Sequence, residues 1–296
     1  EMLGKMKHNN FRAYHYLSKV SAILLIVILN CAFYPSNSKD YLKDPLLLEI
    51  INADWIAFRQ EVEICASEVE KENEREIVFL TYLIDDLNSS FSLVPYEDSK
   101  IRGEKLLQSL NREGIQETVL NGRHLFAGRP SSSSDWEIRK KELKERIANG
   151  ANNCFHKEYF AMTDYSIMNE DKNFKLKINL KAKEEIKEII LKDTKVLIFT
   201  ILDEIESKNC LLPHKNVAYK FISLKGFENE KFDGTGNRLS QIVSKNFISE
   251  GENIDLESVE FNIDNTKNKN WSIVLIIENH KRREILLTRK LKLVID

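Results

Sequence analysis

The chain has 296 residues, with 44 Lys and Arg against 46 Asp and Glu, and 42% of its residues are hydrophobic and 30% charged. That balance suits two ordinary folded domains and excludes a polytopic membrane protein or a disordered chain. The scarcity of Gly (10) and Pro (5) excludes collagen-like and linker-like chains. Four basic residues stand against one acidic over 1–38, sixteen against twenty-two over 39–150, and twenty-four against twenty-three over 151–296. No segment has the basic excess of a nucleic-acid-binding domain, so no nucleic-acid partner is expected.

Lys5, Lys7, Arg12 and Lys19 precede a wholly apolar stretch from Ala22 to Leu29, with Val20 and Ala32–Phe33 at its margins. A basic flank, a short apolar core and a polar exit predict an export signal over 1–38, because the core falls short of the ~20 residues of a spanning helix. Within it, Ile28-Leu29-Asn30-Cys31 resembles a bacterial lipoprotein lipobox of the loose kind found in spirochaetes. The Lys-, Asn- and Ile-rich composition is similar to theirs. The resemblance covers the first tenth of the chain and implies that Cys31 is the lipidated residue; Asn30 stands where the usual motif has a small residue. Cleavage after Ser36-Asn37-Ser38 and an uncleaved anchor are the other two routes. All three place the body in the cell envelope, outside the cytoplasm. It is there attached to the membrane by lipid or anchor, or else secreted or periplasmic.

Residues 39–150 read as a helical domain. Asp44-Pro45 is a helix opening. Leu48, Ile51, Trp55, Phe58, Val62, Cys65 and Val69 then follow a 3,4 spacing that predicts one apolar stripe, with Glu61, Glu63, Glu68 and Glu70 on a solvated face. The stripe suits either an intramolecular bundle or a coiled-coil surface for a protein partner. A second series runs Ile77, Leu80, Ile84, Leu87, and a third helix carries Ile101, Leu106, Leu107 and Leu110. Leu120–Ser134 reads as a loop. A last helix starts at Ser134, with Glu137 at capping-box spacing and Trp136, Leu143 and Ile147 on one side, and stops at Asn149-Gly150.

Beyond Gly150 the period turns to alternation. Phe174, Leu176, Ile178 and Leu180 share one face of "FKLKINLK". Further strands are expected over 158–166, 188–191, 196–202, 217–224, 256–263, 271–278 and 284–295. Lys181–Asp193 also has helical composition, and Ser244–Ile248 suits a strand or a helical turn. The expected fold class is therefore α+β: a signal segment over 1–38, a helical bundle over 39–150 and an antiparallel β-sandwich-like domain over 151–296.

The residues that could carry chemistry are few. Cys154, His156, Cys210 and His214 could complete a tetrahedral Cys2His2 metal site, although their spacing matches no zinc motif. In an oxidising envelope Cys154–Cys210 could instead be a disulfide, or the thiols could stay unpaired. "FDGTGNR" (Phe232–Arg238) lacks the spacing and the Lys-Ser/Thr ending of a phosphate loop and reads as a turn. His124, beside Arg123 and Arg129, is a candidate anion or catalytic group, and Lys281-Arg282-Arg283 reads as a solvated hairpin turn. No nucleophile elbow, His-Glu-x-x-His pair or dinucleotide fingerprint occurs, and no cofactor is expected. The sequence thus predicts an envelope protein with a binding or structural role. An extracytoplasmic hydrolase or zinc-dependent enzyme is the alternative.

Overall fold

The computed structural model describes residues 44–53, 60–84, 97–112, 116–127, 133–170, 173–205, 213–239, 247–263 and 270–293. The signal segment, with Cys31, lies outside them, as do Cys210 and Arg129. Leu42–Asp296 forms one compact unit. No helix among the described residues is long and apolar enough to cross a membrane.

The helical bundle expected over 39–150 is not formed. Leu46–Asn52 is strand β1, buried at every position, and Ile77–Leu83 is β2, equally buried. A strand covered on both faces has no alternation, so its continuous apolar run also fits a helical template. Only the later half of the stripe is helical: α1, Gln60–Glu72, buries Val62, Cys65, Ala66 and Val69. Trp55, Phe58 and Leu87 lie outside the described residues. Strand β2 lies parallel to β1, pairing Leu46 with Ile77 through Asn52 with Leu83. Helix α2, Glu97–Ser109, agrees with the expected third helix.

Leu120–Ser134 is not a plain loop. Glu117–Leu120 (β3) and Arg123–Ala127 (β4) form a hairpin around Asn121 (φ 46°) and Gly122 (φ 73°). Two consecutive positive φ values are what an Asn-Gly turn supplies between twisted strands. Helix α3, Trp136–Asn153, is capped by Asp135, whose side chain accepts from the Glu137 amide, and not by Ser134. It also runs past Gly150, where a Cβ would lie 2.8 Å from Leu125 Cδ1; that glycine serves close packing on β4 and not helix termination.

The second half supplies β5 (Phe160–Glu170), β6 (Asn173–Ala182), β7 (Ile186–Lys187) and a short helix α4 (Glu188–Leu191) where a strand was expected. Then follow β8 (Thr194–Ile205), β9 (His214–Phe221), β10 (Asn237–Arg238), β11 (Phe247–Ile248), β12 (Asn253–Glu257), β13 (Phe261–Asn262), β14 (Trp271–Asn279) and β15 (Glu284–Lys292). A nine-stranded sheet runs β15-β14-β8-β9-β2-β1-β3-β4, with β10 also on β8. Strands from both sides of position 150 therefore share one sheet, joined by the parallel pair Thr81–Val217 between β2 and β9. The separate antiparallel β-sandwich-like domain expected over 151–296 is likewise not formed: β8, β9, β14 and β15 belong to the large mixed sheet, and Phe174, Leu176, Ile178 and Leu180 of β6, which pairs with β5, β12 and β13, share a core with Ile198 and Ile273 of that sheet. The fold is a mixed α/β sheet with a small antiparallel sheet against one end.

Helices cover the other end. Helices α1 and α3 share a core with Leu46, Leu48 and Phe79. On the opposite face, Leu106 and Leu107 of α2 meet Leu47, Val78, Val274 and Ile276, so β1, β2 and β14 contribute to a common core. The acidic face of α1 is not simply solvated. Glu61 accepts from Arg139 Nε at 3.1 Å and Nη2 at 2.7 Å, and Glu68 pairs with Lys140 and Lys144.

Candidate functional site

Two arginine-containing centres stand out, one closed and one open. In the closed centre, Arg102 of α2 donates to both oxygens of Glu278 at 2.8 Å, to Glu49 at 3.0 Å and to the Gly234 carbonyl at 3.1 Å. Tyr82 donates to Glu49 at 3.0 Å. All four side chains are buried. Burial pushes the Glu278 carboxyl up, but Arg102 and His280 outweigh it and hold it at about 2. Burial, with Glu278 alongside, leaves Glu49 above its ordinary value despite Arg102. One guanidinium thus holds one ionised carboxylate in a bidentate grip, while the second is driven toward its neutral form.

The open centre arises where two hairpin turns meet. A Cβ on Gly122 would run into the Arg283 carbonyl oxygen, so the β3–β4 turn and the β14–β15 turn are in direct contact, and Arg283 itself has φ 53°. Between these turns and the Cys154–Tyr159 segment after α3 lies a cavity of about 330 Å³. Arg123, Arg282 and Arg283 line it, all exposed. Among the described residues, none of these three guanidinium groups has a carboxylate partner. Of the other charged lining groups, Lys157 pairs with Glu184, and Glu284 helps burial to raise the pKa of the Tyr159 hydroxyl.

Cys154 and His156, the sequence candidates for a metal site or a disulfide, both line this cavity. The Cys154 thiol is free and half-buried. Burial raises its pKa more than Arg75, Arg123 and the Asn121 hydrogen bond lower it. His156 is 5% exposed, and among the described residues its Nε2 has no hydrogen-bond partner. Burial lowers it to about 4, and Arg75, Lys183 and Arg289 press the same way against the opposing pull of Asp44. The imidazole is therefore neutral at pH 7.

His214 is elsewhere, fully buried, with Nδ1 2.9 Å from Glu63 Oε1 and Nε2 3.4 Å from Gln60 Nε2. Glu63 also accepts from the Lys215 amide at 2.7 Å and from Asn52. Cys154, His156 and His214 do not gather, and among the described residues no three His, Cys, Asp or Glu side chains are grouped to hold a metal ion. The fourth candidate, Cys210, and with it the proposed disulfide, falls outside the described residues. His124 pairs with Glu117 at 2.6 Å and is not a lining residue of the cavity, whereas its neighbour Arg123 is. Arg282 and Arg283 escape sequence reasoning, since nothing local signals that a turn will dock onto another 160 residues away.

A larger cavity, about 690 Å³, is lined by Glu70, Glu76, Asp203, Ser272, Lys290 and Lys292 among others. There Ser272 donates to Asp203 at 3.0 Å and Lys290 lies 3.4 Å from the same carboxylate. Its charges are mixed and partly paired, which points to no one ligand.

No family model matches the chain, and no curated protein matches it. Among solved structures the chain is similar to HBP35 of Porphyromonas gingivalis, with 12% identity and a TM-score of 0.56 over 85% of this chain and 76% of that one. It also aligns with the crystal structure of protein AGR_C_4864 from Agrobacterium tumefaciens, with 12% identity and a TM-score of 0.40 over 83% and 93% of the two chains. At these identities the likeness to HBP35 concerns the fold alone.

Proposed function

We propose that this is an exported, lipid-anchored envelope protein whose body binds a small ligand and performs no catalysis. The observation that carries the binding reading is the open basic cavity at the meeting of the two turns. Its three arginines, unpaired among the described residues, are a recognition set. Burial biases its thiol toward the protonated form and lowers its imidazole to about 4, which disfavours a nucleophile–base pair.

The connectivity favours the same reading. The path β1, α1, β2, α2, β3, β4, α3, with strand order β2-β1-β3-β4, is that of thioredoxin-like units, in which a Cys-x-x-Cys pair beside a βαβ motif performs dithiol exchange. The four cysteines here, at 31, 65, 154 and 210, make no such pair. Cys65 is fully buried, with its thiol pushed up to about 12 by burial and Glu68. We infer that the unit is a scaffold for recognition.

Two experiments test this. Metabolic labelling with palmitate should mark the protein and not its Cys31→Ala variant; label that persists in the variant removes the lipid anchor. Thermal denaturation of the full chain against a panel of charged and neutral small molecules should find compounds that raise its Tm. A panel without effect would sink the binding role.

A further inference from the structure

Resting on that binding reading, we propose that the cavity between the β3–β4 and β14–β15 turns is a site for the phosphate group of a dianionic phosphomonoester bearing a small organic group. Arg123 projects from one turn and Arg282 and Arg283 from the other, so the cations are drawn together by the docking of the turns and not by sequence. With Lys157 held by Glu184, the lining carries three guanidinium charges, unpaired among the described residues, against the single carboxylate of Glu284. That leaves a net charge of two, which matches a phosphomonoester near neutral pH and exceeds what a monocarboxylate needs. Guanidinium forks suit phosphate oxygens through paired, charge-assisted hydrogen bonds. The volume of about 330 Å³ is more than phosphate alone fills and lies at the low end for small-molecule sites. Tyr159 and Phe155 supply aromatic wall for the remainder.

His156 adds a neutral polar side chain to the wall behind these cations. It is 95% buried in the lining with Nε2 lacking a partner among the described residues. A buried polar nitrogen without a partner is costly, and such exceptions in folded proteins ask for a missing water, ion or ligand.

The test is a titration of the full chain with phenyl phosphate, inorganic phosphate, benzoate and phenol, read by calorimetry at low salt. Phenyl phosphate should bind tightest, should weaken as salt rises, and should weaken as pH falls below about 6, where it loses its second charge. Arg282→Gln combined with Arg283→Gln should weaken it by roughly tenfold or more without lowering Tm. Lys292→Gln, in the other cavity, should leave it unchanged. The phosphomonoester assignment fails if phenyl phosphate binds no tighter than benzoate, or if Lys292→Gln weakens it as much as the arginine pair does. If benzoate or phenol binds, with arginine-dependent affinity, while phenyl phosphate does not, the binding role survives and only the ligand class is lost. If none of the four probes binds, the assignment is overturned, and the binding role then rests on the thermal panel alone.

Discussion

The two arginine centres use one side-chain type in opposite ways. Arg102 is sealed at 2% exposure between two carboxylates, a tyrosine and a backbone carbonyl. Arg123, Arg282 and Arg283 are exposed and have no carboxylate partner among the described residues. The first centre ties α2 to β1 and β14 and so locks distant parts of the sheet together. The second spends none of its charge on the fold. A guanidinium held between buried carboxylates is structural, whereas ones without a carboxylate partner beside a cavity are available to a ligand.

The largest effect should follow from breaking the closed centre. Arg102→Leu leaves Glu49 and Glu278 buried without their cation and should cost about 3–5 kcal/mol, seen as a lower urea midpoint or a failure to fold. Removing the charges together, as Arg102→Leu with Glu278→Leu and Glu49→Gln, should recover much of that loss. If the single variant is as stable as the parent, the structural role is wrong.

A middle-sized effect should come from His156, on the wall of the open centre. Its pKa, lowered from 6.5 to about 4, means that the unfolded chain takes up the proton first as pH falls. The associated stability is therefore present above about 6.5 and is lost as pH falls through about 4, an effect on the order of 2–3 kcal/mol. Glu49 and Glu158, both raised mainly by burial, act with the opposite sign, so the comparison must be made against a variant. Urea unfolding of the parent and of His156→Leu at several pH values should show a shallower fall between 6.5 and 4 in the variant. Parallel curves would remove the assignment.

The smallest effect on stability belongs to the open centre's cations. Arg282→Gln with Arg283→Gln should change unfolding free energy by no more than about 0.5 kcal/mol, even though the same pair is expected to abolish most anion affinity. A large loss of stability would mean that these arginines serve the fold, and the contrast between the centres would collapse.

Several elements are legible in the sequence alone. The alternation of Phe174, Leu176, Ile178 and Leu180 identifies β6, because one face is buried and the other wet. The inward faces of α2 and α3 are likewise readable from Leu106, Leu107, Leu143 and Ile147. The Asn121-Gly122 turn carries a hairpin signal that the surrounding Gly, Pro and Ser mask. By contrast, LLLEIIN and IVFLTYL are buried on both faces. Nothing in their period separates strand from helix, and a helical reading of them turns a mixed sheet into a bundle.

By itself, then, the sequence determined local periodicity, the basic, apolar and polar order of the first 38 residues, and the lack of a Cys-x-x-Cys pair. Those are properties of neighbours along the chain. Only the tertiary structure decided that strands on both sides of position 150 share one sheet, and that His156 and His214 lie apart in different surroundings. It also decided that Arg123 meets Arg282 and Arg283. Such encounters depend on which turns dock, and docking is set by sheet order and by close approaches such as Gly122 against Arg283, which no local window contains.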